Sequence, residues 1–113
     1  MDIGYVLFKE IKTWVDETFG TDRDPKMILE HLREELEELS KEVDKYEKGW
    51  KKDRLDLLCE YADVQILLWN LMSRMGVCYH SCMDGVAIKH RINKKRNWEE
   101  IDGKMKHIDD GSK

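Results

Sequence analysis

Apolar side chains recur at spacings of three and four residues through the first half of the chain, which is the pattern of amphipathic helices. A first helix is predicted over residues 2–19 and a second over residues 25–48. Gly20 is expected to end the first, and Asp24 before Pro25 is a good start signal for the second. Their apolar faces comprise Ile3, Leu7, Ile11, Trp14, Val15 and Thr18 in the first helix and Leu32, Leu36, Leu39, Val43 and Tyr46 in the second.

A third helix, predicted over residues 54–75, is apolar around nearly its whole circumference. Such a helix is buried, either at the centre of a bundle or at a subunit interface. A fourth and less apolar helix is predicted from about Ser81 to Trp98, and the polar residues 99–113 are expected to form a loose tail. The pattern therefore predicts a single all-α domain over residues 1–113, with the third helix also serving a dimer.

Composition narrows the class of protein. The 24 acidic and 20 basic residues give a formal charge of −4, which argues against nucleic-acid binding, since such domains are usually basic. The N-terminus lacks the basic region of a signal peptide, and no apolar run could span a bilayer. We therefore expect a cytoplasmic protein, in the host cytoplasm if a phage encodes it. Because 113 residues bury only a thin core, oligomerisation is expected as well.

Two groups of carboxylates fall at helical spacing. At about 100° per residue, Glu35 and Glu38 lie on one margin of the buried face of the second helix. Glu60 and Asp63 are three residues apart inside the apolar third helix, and Asp56 and Asn70 continue their line. Ionised carboxylates in apolar surroundings are costly unless a cation offsets their charge. The pattern predicts a site for a hard divalent cation, and oxygen-only ligands suit Mg²⁺ or Mn²⁺.

Two other interpretations of the acidic residues remain open. The first group could be an ordinary solvated helix face, and both groups could meet basic residues of a partner in a non-catalytic helical interaction module. A di-iron bundle is disfavoured because no histidine follows a glutamate at the Glu-x-x-His spacing.

The acidic segments also resemble the E-E-x-x-E and E-x-x-D signature of the all-α, MazG-like nucleoside triphosphate pyrophosphohydrolases. Residues 34–38 match the first half and residues 60–63 the second. Residues 89–98 resemble the K-x-x-x-N-x-x-R-x-W ending of short, often phage-encoded members, some of which act on dATP and dGTP. The resemblance covers about residues 25–98. It implies a four-helix MazG-like bundle, as a dimer or a dimer of dimers.

The resemblance implies Mg²⁺-dependent hydrolysis of a (d)NTP to (d)NMP and pyrophosphate, with Mn²⁺ as a possible substitute. A purine deoxynucleotide is the expected substrate, and a pyrimidine such as dUTP or dCTP is the alternative within the superfamily. The implied metal ligands are Glu35, Glu38, Glu60 and Asp63, and the implied general base is Glu34 or Glu38.

Phosphate binding is expected from Lys89, Asn93 and Arg96, which stand at i, i+4 and i+7 and would form one stripe on the fourth helix. The alternative for this stripe is a solvated basic face at a helix C-terminus. Contact with the base is expected from Trp98 and His31, although Trp14 and Tyr61 are further candidates. Aromatic residues at helical spacing also pack into cores, and no spacing rule gives the base or sugar preference.

Overall fold

The computed structural model describes residues 2–50 and 53–108. The elements, in chain order, are α1 (Ile3–Phe19), α2 (Pro25–Glu47), α3 (Leu55–Arg74), α4 (Tyr79–Lys95), β1 (Asn97–Ile101) and β2 (Lys104–Ile108). The four predicted helices are confirmed, with ends within a few residues of those expected. The chain divides into two compact units, Met1–Tyr79 and His80–Lys113, whereas the prediction of a single domain stays a prediction. No helix in the described ranges is long and apolar enough to cross a membrane.

Local signals fix the turn between α1 and α2. Gly20 has a φ of 89°, a left-handed conformation that favours glycine, and it ends α1. Asp24 then caps α2, because its side chain accepts a hydrogen bond of 2.9 Å from the Lys26 backbone N–H. Pro25 follows in the first turn, where its missing N–H costs nothing. The sequence of this turn therefore determines where α2 begins.

The core of the first unit lies between α2 and α3. Ile28 and Leu32 of α2 are buried against Leu67 of α3, and Val64 and Leu71 pack around them. The residues of α2 stand at the i, i+4 spacing and those of α3 at i, i+3 and i+7, so each set forms one face. This contact holds α2 along α3 and thereby sets which polar side chains of the two helices meet.

The buried face of α1 matches the predicted one only in part. Val15, which was predicted to lie on that face, is 4% exposed, and so is Phe8, which was not. Ile3 and Trp14 from the predicted face are 73% and 59% exposed. The reason is an aromatic cluster, in which the Phe8 ring centroid lies 5.6 Å from that of Trp69 on α3. Aromatic packing of this kind outweighs burial of the smaller aliphatic residues, so the helix turns Phe8 inward.

The apolar helix α3 is less buried than its sequence suggested. Leu67 is 7% exposed, but Leu55, Leu58 and Tyr61 are between 56% and 60% exposed. Burial at the centre of a bundle is therefore wrong for this part of the helix. The subunit-interface alternative stays a prediction.

The second unit contains a β-hairpin where a loose tail was expected. β1 and β2 are antiparallel, with Ile101 paired to Lys104. Between them Asp102 and Gly103 have positive φ angles of 53° and 76°, the conformation of the two-residue hairpin turn that Asp-Gly favours. This corrects the expectation for residues 99–108, because the charged residues on both strands obscured the turn signal, while residues 109–113 lie outside the described ranges.

Candidate active site

Three of the predicted metal ligands lie together in the first unit. Glu35 on α2 and Glu60 and Asp63 on α3 each offer a carboxylate oxygen, and these oxygens lie within 4.8 Å of one another. The α2–α3 core explains the meeting, because Glu35 follows Leu32 by three residues and Asp63 precedes the core residue Leu67 by four. Three carboxylates at this separation repel one another unless a cation lies between them. An oxygen-only donor set fits a hard divalent ion.

The electrostatics of Glu60 agree with a crowded acidic site. Partial burial raises the pKa of the Glu60 carboxyl above its ordinary value of 4.5, and the negative charge of Asp63 adds to this effect. Glu35, Glu38 and Glu42 contribute further in the same direction. Four neighbouring carboxylates at the α2–α3 seam thus act on Glu60.

Glu38 and Glu34 are exposed and do not belong to the cluster of Glu35, Glu60 and Asp63. Glu38 is exposed and its Oε1 lies 3.3 Å from Lys41 Nζ, and it is not in the group that could share one ion among the described residues. Glu34 is exposed on α2. The structure therefore brings together Glu35, Glu60 and Asp63, while Glu38 acts on Glu60 through its charge.

Glu42 is a residue that the sequence reasoning did not assign to the site. Its side chain is buried, with only 6% of the residue exposed, and Lys45 Nζ lies 3.7 Å from its Oε1. Glu42 follows Glu35 by seven residues, close to two helical turns, and this spacing could have placed it on the same line. Its charge contributes to the raised pKa of Glu60.

A cavity of about 480 Å³ opens beside the acidic cluster, and Glu35 and Asp63 form part of its wall. Apolar and aromatic side chains supply most of the remainder. Among these apolar side chains are Trp14, Phe19, Met27 and Ile66. The Trp14 and Phe19 rings meet edge to face with centroids 5.7 Å apart. A mostly apolar cavity with a few polar groups is the usual form of a small-molecule site.

His31 lies in the wall of this cavity. Its Nε2 is 3.3 Å from Glu35 Oε1, one helical turn away. The structure thus puts this predicted base-contact residue at both the cavity and the acidic cluster. Trp14, named in the sequence as a further candidate, also lines the cavity.

A second set of polar groups surrounds Arg23 in the cavity wall. Arg23 Nη1 donates to Asp16 Oδ1 and to the Gly20 carbonyl oxygen, each at 2.6 Å. Its Nε donates to Asn70 Oδ1 at 2.9 Å, and Arg74 Nε donates to the Arg23 carbonyl oxygen. With only 9% of its side chain exposed, Arg23 ties α1, the α1–α2 turn and α3 together.

Asp16 shows the electrostatic consequence of this network. Hydrogen bonds from Lys12 and Arg23 lower the pKa of the Asp16 carboxyl below its ordinary value of 3.8. An acid whose pKa is lower in the folded state stabilises the fold above its unfolded pKa. The contribution of Asp16 is therefore complete above about pH 3.8 and is lost as pH falls through the lower folded pKa.

The predicted phosphate-binding residues belong to the second unit. Lys89 is exposed and Asn93 is half-buried on α4, one turn apart. Since α4 ends at Lys95 rather than at Trp98, Arg96 lies just beyond the helix, and its backbone N–H donates to the Asn93 carbonyl oxygen at 3.3 Å. Trp98 is 42% exposed, and its Nε1 donates to the same carbonyl oxygen at 2.7 Å. The helical stripe thus holds for Lys89 and Asn93 but not for Arg96.

Comparison with known proteins agrees with the acidic signature. A family model described as dATP/dGTP pyrophosphohydrolase matches residues 7–111. Among solved structures, the chain is similar to the cyanophage S-2L MazG-like pyrophosphohydrolase, with 31% sequence identity and a TM-score of 0.69 over 94% of this chain and 93% of that one. That protein was solved with dGDP and three catalytic Mn²⁺ ions per active site. No curated protein matches the sequence.

Proposed function

The chain belongs to the dATP/dGTP pyrophosphohydrolase family and is a nucleotide pyrophosphohydrolase, and from this membership we propose that it hydrolyses purine deoxynucleoside triphosphates to the monophosphate and pyrophosphate. Mg²⁺ is the proposed cofactor, with Mn²⁺ as a substitute; the similar phage protein carries Mn²⁺ and dGDP. The non-catalytic interaction module is not supported by family membership.

One observation carries the proposal. Glu35 and Asp63 belong both to the acidic cluster and to the wall of the 480 Å³ cavity. A nucleotide whose base enters the apolar part of the cavity, between Trp14 and Ile66, can therefore keep its phosphates beside the carboxylates. The large flat face of a purine suits an aromatic and aliphatic wall. His31, in the same wall, is proposed to contact the base or sugar.

The acidic residues fit a divalent metal centre. We assign Glu35, Glu60 and Asp63 as metal ligands on their geometry, and Glu38 as a fourth from the resemblance. A divalent cation held there would neutralise charge on the phosphate oxygens while the phosphoryl group is transferred. The like charges that make this site costly without metal are the groups that would give it affinity for a cation.

Hydrolysis then needs a base for the attacking water. We propose that Glu38, with Glu34 as the alternative, accepts a proton as the water oxygen attacks the α-phosphorus. The bond between the α-phosphorus and the bridging oxygen breaks, and that oxygen leaves as part of pyrophosphate. Glu38 is exposed and close enough for its charge to raise the pKa of Glu60, so it is the better placed of the two.

The family signature alone carries the phosphate-binding part of the proposal. By that signature, Lys89 and Arg96 would bind the departing phosphates and Asn93 would hydrogen-bond a phosphate or the sugar. Ammonium and guanidinium groups suit this task because charge grows on the leaving pyrophosphate. Trp98 stays a prediction for base contact.

A nucleotide panel tests the proposal. The eight common ribo- and deoxynucleoside triphosphates, together with dUTP, are incubated with the protein and Mg²⁺ or Mn²⁺, and monophosphate and pyrophosphate are measured. We expect dGTP or dATP to give the highest kcat/KM, with both products in equal amounts. Preference for dUTP or dCTP would overturn the purine assignment and leave the enzyme class intact, whereas no turnover of any nucleotide would overturn the proposed function.

We also propose that the protein is a homo-oligomer, a dimer or a dimer of dimers, in the cytoplasm where nucleotide pools lie. Leu55, Leu58 and Tyr61 expose much of their apolar surface along α3, and surface of this kind commonly marks an interface between subunits. Sedimentation analysis at micromolar concentration is expected to give a mass of two or four chains. A monomer of 13.5 kDa would contradict this expectation.

A further inference from the structure

Asn70 lies in the wall of the cavity away from the acidic cluster. It follows Asp63 by seven residues on α3, about 10 Å along the helix axis, and both residues line the same cavity. If the phosphates lie at Asp63, the far end of a nucleotide extends along the helix toward Asn70. The side chain of Asn70 is thus in a position to meet the edge of the base.

The orientation of the Asn70 carboxamide is fixed by Arg23. The Nε–H of Arg23 can only donate, so the atom of Asn70 that faces it, 2.9 Å away, is the acceptor Oδ1. Arg23 cannot turn aside readily, because its Nη1 is held by Asp16 and by the Gly20 carbonyl. Because Oδ1 is turned toward Arg23, the Nδ2 amide of Asn70 is the group that remains to donate a hydrogen bond to a ligand.

An amide donor that faces the base distinguishes 6-oxopurines such as guanine from 6-aminopurines such as adenine. Guanine presents the acceptors O6 and N7, whereas adenine presents N7 beside an N6 amino donor. An asparagine that presents both amide atoms to the base can pair with the N6 and N7 of adenine, but Asn70 has its Oδ1 turned toward Arg23. In addition Asp24, next to Arg23, lines the cavity and offers a carboxylate to the N1–H that guanine carries and adenine lacks.

We propose that Asn70, oriented by Arg23, is a specificity-determining residue that favours 6-oxopurine over 6-aminopurine nucleotides. The proposal rests on the proposed pyrophosphohydrolase function, since it names the base that this site selects. Asn70 donates from Nδ2 to O6 of the 6-oxopurine. With a 6-aminopurine, the N6 amino donor meets the Nδ2 donor of Asn70 instead of an acceptor.

The test compares kcat/KM for dGTP, dITP and dATP in the presence of Mn²⁺. Hypoxanthine, the base of dITP, has O6 and N1–H but lacks the 2-amino group of guanine, so dITP excludes any contribution of the 2-amino group. The wild-type protein is expected to prefer dGTP and dITP over dATP. Asn70→Asp replaces the donor by an acceptor of the same shape that still accepts from Arg23, and should lower the dGTP/dATP and dITP/dATP ratios by about 10- to 100-fold.

Two further variants keep the test decisive. Asn70→Leu removes the donor without adding charge, and should lower the same ratios even if the aspartate variant folds poorly. Gln65→Glu is the matched control, because it makes the same amide-to-carboxylate change on α3 at a residue outside the cavity wall, and should leave the ratios unchanged. Equal wild-type rates for all three substrates, or equal losses for all three in the Asn70 variants, would overturn the inference while leaving the hydrolase function in place. Absence of any wild-type turnover would instead overturn the proposed function.

Discussion

Glu60→Gln is expected to lower kcat/KM for the best nucleotide by about 100-fold or more. Glu60 provides one of three carboxylate oxygens within 4.8 Å of one another, and a neutral amide is a much weaker ligand for a hard divalent ion. The charge stabilisation that such an ion gives a phosphoryl transfer amounts to several kcal/mol, and each 1.36 kcal/mol corresponds to a factor of ten in rate. Steady-state kinetics at saturating Mg²⁺ measure the loss.

The same variant should be more heat-stable than the wild type when metal is removed with a chelator. The raised pKa of Glu60 arises from partial burial and from the neighbouring charges of Asp63 and Glu35, and the substitution removes this repulsion. Mn²⁺ should raise the Tm of the wild type, and this shift should be much smaller in Glu60→Gln. A thermal melt with and without metal compares the two proteins.

Glu37→Gln is the matched control for Glu60→Gln. Glu37 is an exposed acid on α2, and it occupies a variable position of the E-E-x-x-E signature. Its substitution should leave both the rate and the Mn²⁺-dependent Tm shift unchanged. If Glu60→Gln retained full turnover and the full Tm shift, Glu60 would not be a metal ligand.

Arg23→Ala is expected to destabilise the protein by about 2–4 kcal/mol, because the loss of a nearly buried guanidinium leaves its hydrogen-bond acceptors without their donor. The variant deprives Asp16 of the guanidinium at 2.6 Å and leaves Asn70 Oδ1 and the Gly20 carbonyl without their donor. For a small domain this corresponds to a fall in Tm of about 10 °C or more. Urea unfolding of the metal-free protein gives the free energy directly.

Arg33→Ala serves as the comparison for Arg23→Ala. Arg33 Nη1 lies 2.9 Å from Glu30 Oε2, but 70% of the Arg33 side chain is exposed, and exposed ion pairs contribute little. The Tm of the Arg33→Ala variant should remain within error of the wild-type value. Equal Tm values for the two variants would show that the Arg23 network does not hold α1, the turn and α3 together.

The sequence predicted the helices well because helix signals are local. The apolar spacing in α2, the Asp24 cap and Pro25 all act within a few residues of one another. The local signal failed where long-range packing or strand pairing decided the result. Phe8 rather than Ile3 faces inward because it meets Trp69 on another helix, and residues 99–108 pair across the Asp102–Gly103 turn.

The candidate metal site was predicted from the sequence to the extent that spacing allows. Three and four residues on a helix return to the same face, so Glu60 and Asp63 had to lie together, and an apolar helix made their charges unusual. The meeting with Glu35 depended on packing, because Ile28 and Leu32 had to meet Leu67 in the core. Glu42 was missed for the same reason: its burial depends on which part of α2 covers α3.

By itself the sequence determined four helices, two groups of carboxylates on one face each, and a family signature, because helical periodicity and ligand chemistry are properties of short segments. Only the tertiary structure decided where the cavity forms and that Arg23 and Asn70 meet in its wall. Arg23 and Asn70 are 47 residues apart, and their hydrogen bond exists because the α1–α2 turn packs against α3. Base recognition depends on such distant contacts, and no spacing rule along one helix encodes them.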